Sequence, residues 1–168
     1  MKSAQEDAYL EFVAGRAKAL YRSAYVLAAG DSHLAEDLVQ ETLSRVYVHW
    51  SRVAGAQSPA AYAQTVLVRT FLSLRRRRST GERPVGNMPD SAACGPDAAL
   101  RVTLLGALGQ LPPRDRAVLL LRYWEDRSIE ETAQMLRLSS SAVRSQGTRA
   151  LSRLRALLGD SLADLVPH

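Results

Sequence analysis

Between Ser139 and Leu158 the chain carries four Arg and no acidic residue, and Ser, Arg, Gln and Thr crowd its first turns. These residue types suit a polyanion. Arg grips guanine O6 and N7 in a two-pronged fork, Gln does the same for adenine, and Ser or Thr hydroxyls bond phosphate oxygens. At a 3.6-residue period Val143, Ala150, Leu151, Leu154, Leu157 and Leu158 face one way. Ser140, Ser141, Arg144, Ser145, Thr148, Arg149 and Arg153 are the candidate DNA-contacting residues.

A shorter helix must hold this one in place. Ile129, Thr132, Ala133 and Leu136 are spaced for a single buried stripe, and Leu138 closes a turn whose serines offer hydroxyls to the next helix. Short helix, tight turn and basic second helix describe a helix-turn-helix. Periodicity alone also fits a plain helical hairpin with solvated arginines, and two residues sit awkwardly with the motif. Arg137 falls where the turn asks for a left-handed conformation that favours Gly. Gly147 lies inside the second helix at a cost of about 1 kcal/mol relative to Ala, or marks a close approach to a neighbouring backbone.

A length of 168 residues with 46% hydrophobic and 23% charged content fits one or two globular domains. No apolar run approaches the roughly 18 residues of a membrane span, and no signal-peptide pattern opens the sequence, so a cytoplasmic protein without membrane insertion is expected. The single cysteine, Cys94, allows no internal disulfide or cysteine-based zinc cluster. His33, His49 and His168 are scattered, and no acid, base and nucleophile set shows motif spacing, so neither an enzyme nor a metal or cofactor site is expected.

The net charge of +5 is unevenly distributed. Residues 1–68 hold six Lys or Arg against seven Asp or Glu, whereas residues 69–83 hold six Arg against one Glu. Two basic patches therefore lie in different halves of the chain.

The periodicity predicts an all-α chain. Phe12, Ala17, Leu20, Ala24 and Leu27 mark a long first helix stopped at Gly30, and Leu34, Leu38, Thr42, Val46 and Trp50 mark a second, capped by Asp31 or Ser32. Glu36, Asp37, Gln40 and Glu41 make its outer face acidic, which complements the helix dipole. After a loop at 51–58, Pro59 starts a third helix ending in Arg75-Arg76-Arg77-Arg78, a block that binds phosphates or is a solvated tail. Residues 79–97, with three Pro and three Gly, read as a flexible linker. Beyond it a helix stops at Pro112 and Pro113, and another runs from Arg114 to Trp124, burying Val118, Leu121 and Trp124. Four helices around one small core are expected in the C-terminal half. The expected division is 1–78, a linker at 79–97, and 98–168.

Four blocks now carry a resemblance: AEDLVQETLSRVYVHW (35–50), AYAQTVLVRTFLSLRRRR (61–78), LGQLPPRDRAVLLLRYWEDRSIEETAQML (108–136) and SAVRSQGTRALSRLRALL (141–158). In order and spacing they resemble bacterial RNA polymerase sigma factors of the extracytoplasmic-function class. The resemblance implies a region 2 helical domain and a region 4 helix-turn-helix domain, both contacting polymerase and promoter. It implies that Asp37, Gln40 and Glu41 bind the β′ clamp helices, that the second domain meets the β flap, and that an anti-sigma factor is a possible partner. It further implies that Tyr62, Arg69 and Arg75, Arg76, Arg77 and Arg78 serve the −10 element while the recognition helix reads the −35 element. Three residues depart from the pattern: Tyr62 replaces a usual Trp, Arg69 a common Asn, and Ser73 a frequent Asp. The competing reading is a stand-alone helix-turn-helix regulator whose N-terminal half binds a ligand or partner.

Overall fold

A computed structural model describes residues 2–78 and 96–159, and the described residues are helical throughout, without strands. The stretch expected as a linker falls almost wholly outside them, as do Cys94 and the side chain of Arg78.

Helix α1 (Lys2–Leu27) ends where Ala29 and Gly30 take φ of 54° and 89°, and the Gly30 N–H reaches back to the Tyr25 carbonyl at 3.0 Å. Two consecutive left-handed residues reverse the chain. Asp31 then accepts from the Leu34 N–H at 3.1 Å and opens α2 (Ser32–Val48), which buries Leu34, Ala35, Leu38, Thr42 and Val46. The Thr42 hydroxyl is satisfied within the helix by the Leu38 carbonyl at 2.6 Å, so this polar residue sits in the core at little cost.

A loop was expected over 51–58, but its first part is a short helix, α3 (Trp50–Ala54), with Val53 fully buried. Val53 gives the segment an apolar anchor that composition alone undervalued. Trp50 packs edge-on to Tyr9 at 5.6 Å and lies 5.3 Å from Phe12, tying α3 to α1. Ser58 accepts from the Ala61 N–H at 3.1 Å, and Pro59 starts α4 (Pro59–Arg78).

In the other half, α5 (Pro96–Gln110) begins two residues before the expected boundary, because Pro96 fits a first helical turn. Helix α6 (Pro113–Leu119) continues into a π-helical turn over Leu120–Trp124, where a plain α-helix was expected. The wider turn changes which side chains point inward. Leu121 stays fully buried, but Trp124, expected in the core, turns out to solvent at 58% exposure. Helices α7 (Ile129–Leu136) and α8 (Ser140–Leu158) complete the chain.

The main core crosses between the halves. Leu20, Leu27, Leu38, Val46, Leu67 and Phe71 pack in one cluster with Ala117, Val118, Leu120, Leu121, Met135 and Leu136. A second, smaller cluster joins Leu105, Leu108, Leu111, Leu119 and Ala150. The expected self-contained C-terminal core is therefore only part of the picture: α6 and α7 present apolar faces on two sides, and the second side is covered by α1 and α4.

Gly147 is buried in α8, yet a Cβ built there would lie 3.7 Å from Val118 Cγ1, an ordinary contact. Close packing does not require the glycine. Gly147→Ala is expected to stabilise the protein by about 0.5–1 kcal/mol through helix propensity, read as a higher urea midpoint.

Candidate nucleic-acid interface

The reading element is built from caps. Ser128 accepts from the Glu131 N–H at 3.0 Å while the Glu131 carboxylate accepts from the Ser128 N–H at 3.1 Å, a reciprocal box that starts α7. Those backbone and hydroxyl bonds, with Arg127 adding its charge, hold the exposed Glu131 carboxyl below its usual range. Arg137 adopts the left-handed conformation, φ 57° and ψ 46°, and the Leu138 N–H closes on the Ala133 carbonyl at 2.9 Å. The turn thus takes the shape a glycine would favour, held by the burial of Leu136 and the packing of Leu138. Ser139 then caps α8 through the Ala142 N–H at 3.1 Å.

Val143, Gly147, Ala150 and Leu158 are buried on the inner face of α8. Ser141, Arg144, Ser145, Thr148 and Arg149 are all exposed along the outer face, and Ser140 is half-buried at its start. The hydroxyls of Ser145 and Thr148 donate to carbonyls one turn back, at 2.8 and 3.0 Å, which fixes their rotamers and leaves their oxygens able to accept. Arg155, which the spacing argument passed over, is also exposed and extends the stripe by its i+7 relation to Thr148.

Arg153 has a different environment. Its Nη1 donates to the buried Asp115 carboxylate at 2.6 Å, drawing the side chain toward α6 at the edge of the stripe. Arg153→Ala would leave Asp115 buried without its cation. The expected cost is about 2 kcal/mol in urea unfolding, below the roughly 3–5 kcal/mol of a wholly buried pair because Arg153 is half-exposed. Arg144 makes no such bond, so Arg144→Ala is expected to leave the midpoint unchanged and to weaken promoter binding by about 1–3 kcal/mol at one upstream base pair.

The second cationic surface lies on α4. Arg76 and Arg77 are exposed near its end, while Arg75 is half-buried with its guanidinium 5.8 Å from the Phe71 ring centre. Tyr62 is half-buried against the core. Arg69 does not point freely outward: its Nε donates to the Met135 carbonyl at 2.9 Å and its Nη2 to the Gln134 carbonyl at 3.2 Å. Burial, and then repulsion from Arg137, push its pKa down. The bonds of Arg69 to α7 are invisible to sequence spacing, because they join residues more than sixty positions apart.

On the far side of the N-terminal half, Asp37, Gln40 and Glu41 are exposed on α2, opposite buried Leu34, Leu38 and Thr42. Glu41 meets Arg45 at 3.0 Å in a solvated i,i+4 pair of small energetic weight. The face keeps its acidic character. Among the described residues no group of His, Cys, Asp and Glu could hold a metal, and no helix is long and apolar enough to cross a membrane.

A helix-turn-helix with an exposed basic stripe, joined to a helical half with an acidic face and a second cationic helix, is the layout of a multi-surface transcription factor. The Sigma-70 region 2 model matches residues 7–80 and the Sigma-70 region 4 model matches residues 101–154. The RNA polymerase sigma-E factor of Streptomyces avermitilis is 38% identical over 147 residues, covering 86% of this chain and 82% of that protein. The ECF RNA polymerase sigma factor SigM of Bacillus subtilis is 26% identical over 139 residues, covering 80% and 85%. In fold, the chain is similar to the sigma factor RpoE of Bartonella quintana, solved in complex with the anti-sigma factor NepR, with a TM-score of 0.71 at 23% identity over 90% of this chain and 96% of that one. The chain belongs to the extracytoplasmic-function class of RNA polymerase sigma factors.

Proposed function

We propose that this sigma factor places core RNA polymerase on promoters by dividing the work among three surfaces. The exposed stripe of Ser141, Arg144, Ser145, Thr148 and Arg149 on α8 reads the −35 element from the major groove, with Ser140 at its edge. Tyr62, Arg69 and the arginines at 75–78 serve the −10 element, and Asp37, Gln40 and Glu41 dock on the β′ clamp helices. The C-terminal unit, 98–168, meets the β flap, and the N-terminal unit is 1–78. An anti-sigma factor is a further partner.

The observation that carries this reading is the outward stripe on α8, whose five side chains are exposed while the opposite face is buried. The work is binding rather than covalent chemistry. Separating each stacked base pair costs about 1.4 kcal/mol, and capturing an unstacked base on an aromatic or cationic surface returns about 1–3 kcal/mol. A few captured bases therefore suffice to bias strand opening. Run-off transcription with the host's core polymerase and genomic promoter fragments tests the proposal. Discrete transcripts dependent on this protein are expected, and none from any fragment would refute it.

A further inference from the structure

The surface that serves the −10 element in the proposed function is in part covered by the C-terminal half. Arg69 of α4 donates to the Gln134 and Met135 carbonyls in the last turn of α7. Arg116 of α6 answers in the opposite direction, its Nη1 donating to the carbonyl of Leu27, the last residue of α1, at 2.8 Å. Each half thus supplies one guanidinium to a helix end of the other, where carbonyls lack helical partners and the dipole is negative. Around these two, Ser23 hydrogen-bonds Glu125, Arg127 donates to Gln64 at 2.9 Å, and Leu120, Leu121 and Met135 share a core with Leu67 and Phe71.

The seam is costly in one respect. Arg116 is only 3% exposed and stands 5.2 Å over the Phe71 ring, and its Nε has no hydrogen-bond partner among the described residues. Burial, with Arg75 adding repulsion, lowers its pKa to about 10, so it remains a cation at neutral pH in a place that disfavours one. That cost exists only while the halves are together. A seam with a buried, partly satisfied charge at its centre is suited to reopening.

Geometry makes reopening necessary. Elements at −10 and −35 are roughly 25 base pairs apart, about 85 Å of duplex at about 3.4 Å per step. A compact body of this chain length spans only about 40 Å. We infer that the isolated protein is self-closed by the reciprocal Arg69 and Arg116 latch, and that it must unlatch to engage both promoter elements. This rests on the proposed function for its consequence but not for the closed form itself.

A staple separates the two. A Cβ built on Gly109 would lie 3.4 Å from the Ala29 Cβ across the seam, close to the separation of about 3.5–4.5 Å found in disulfides. Ala29→Cys and Gly109→Cys, with Cys94→Ser, should oxidise readily in the isolated protein. The oxidised protein should give no run-off transcript with core polymerase, and dithiothreitol should restore it. Failure to form the disulfide, or full transcription by the oxidised form, would overturn the inference. Silence of both the reduced protein and the parent would instead refute the proposed function, while disulfide formation would still report closure. Arg116→Gln in the same background should slow the oxidation about tenfold, the weight of a charged hydrogen bond, and an unchanged rate would remove Arg116 from the latch.

Discussion

Reversing both charges of the acidic face, Asp37→Lys with Glu41→Lys, is expected to abolish capture of core RNA polymerase in a pull-down while leaving helix content intact. Both side chains are exposed on α2, and the only printed bond lost is the solvated Glu41–Arg45 pair, worth well under about 1 kcal/mol. Against a basic partner, each reversal replaces attraction by repulsion. Such like-charge juxtaposition costs several kcal/mol, about a hundredfold or more in affinity. Unchanged capture would remove the polymerase-docking role from this face. The two positions lie away from the α8 stripe, so a concurrent loss of helix content would point to misfolding, and circular dichroism distinguishes the two.

The largest stability effect is expected at Phe71. It is 1% exposed in the shared core and is the platform for Arg75 and Arg116, at 5.8 and 5.2 Å. Phe71→Ala removes an aromatic ring that the surrounding helices cannot fully collapse upon, at a cost of about 3–5 kcal/mol. Set against a typical total of about 5–15 kcal/mol, that is a large share. Phe71→Leu, which keeps an apolar group in place, should lose clearly less. Urea unfolding followed by circular dichroism gives both numbers. A loss below about 1 kcal/mol for Phe71→Ala would mean that α4 is not packed as described.

The helical class, the helix order and the caps were legible because each is a local property. Asp31, Ser128 and Ser139 cap the helices they precede, Pro59 and Pro113 start helices, and the apolar spacing of Leu34, Leu38, Thr42 and Val46 matches their burial. The family was legible because four blocks recur in order, and the 38% identity to a sigma-E factor over 86% of the chain agrees. That likeness leaves no ground for a stand-alone regulator. Trp124 failed for a physical reason. An α-helical wheel counts 3.6 residues per turn, and the π-helical turn at 120–124 breaks that count just before it.

What the sequence alone determined, then, is the set of elements and their faces: which stripe of α8 is basic, which side of α2 is acidic, where each helix starts. Those follow from composition at fixed spacing along one helix. Only the tertiary structure decided how the faces are used. It drew Arg153 to Asp115, took Arg69 to the end of α7, buried Arg116 beneath α1, and merged the apolar sides of α6 and α7 with those of α1 and α4. Each is a contact between residues far apart in the chain, fixed by how helices pack and not by any period within one of them.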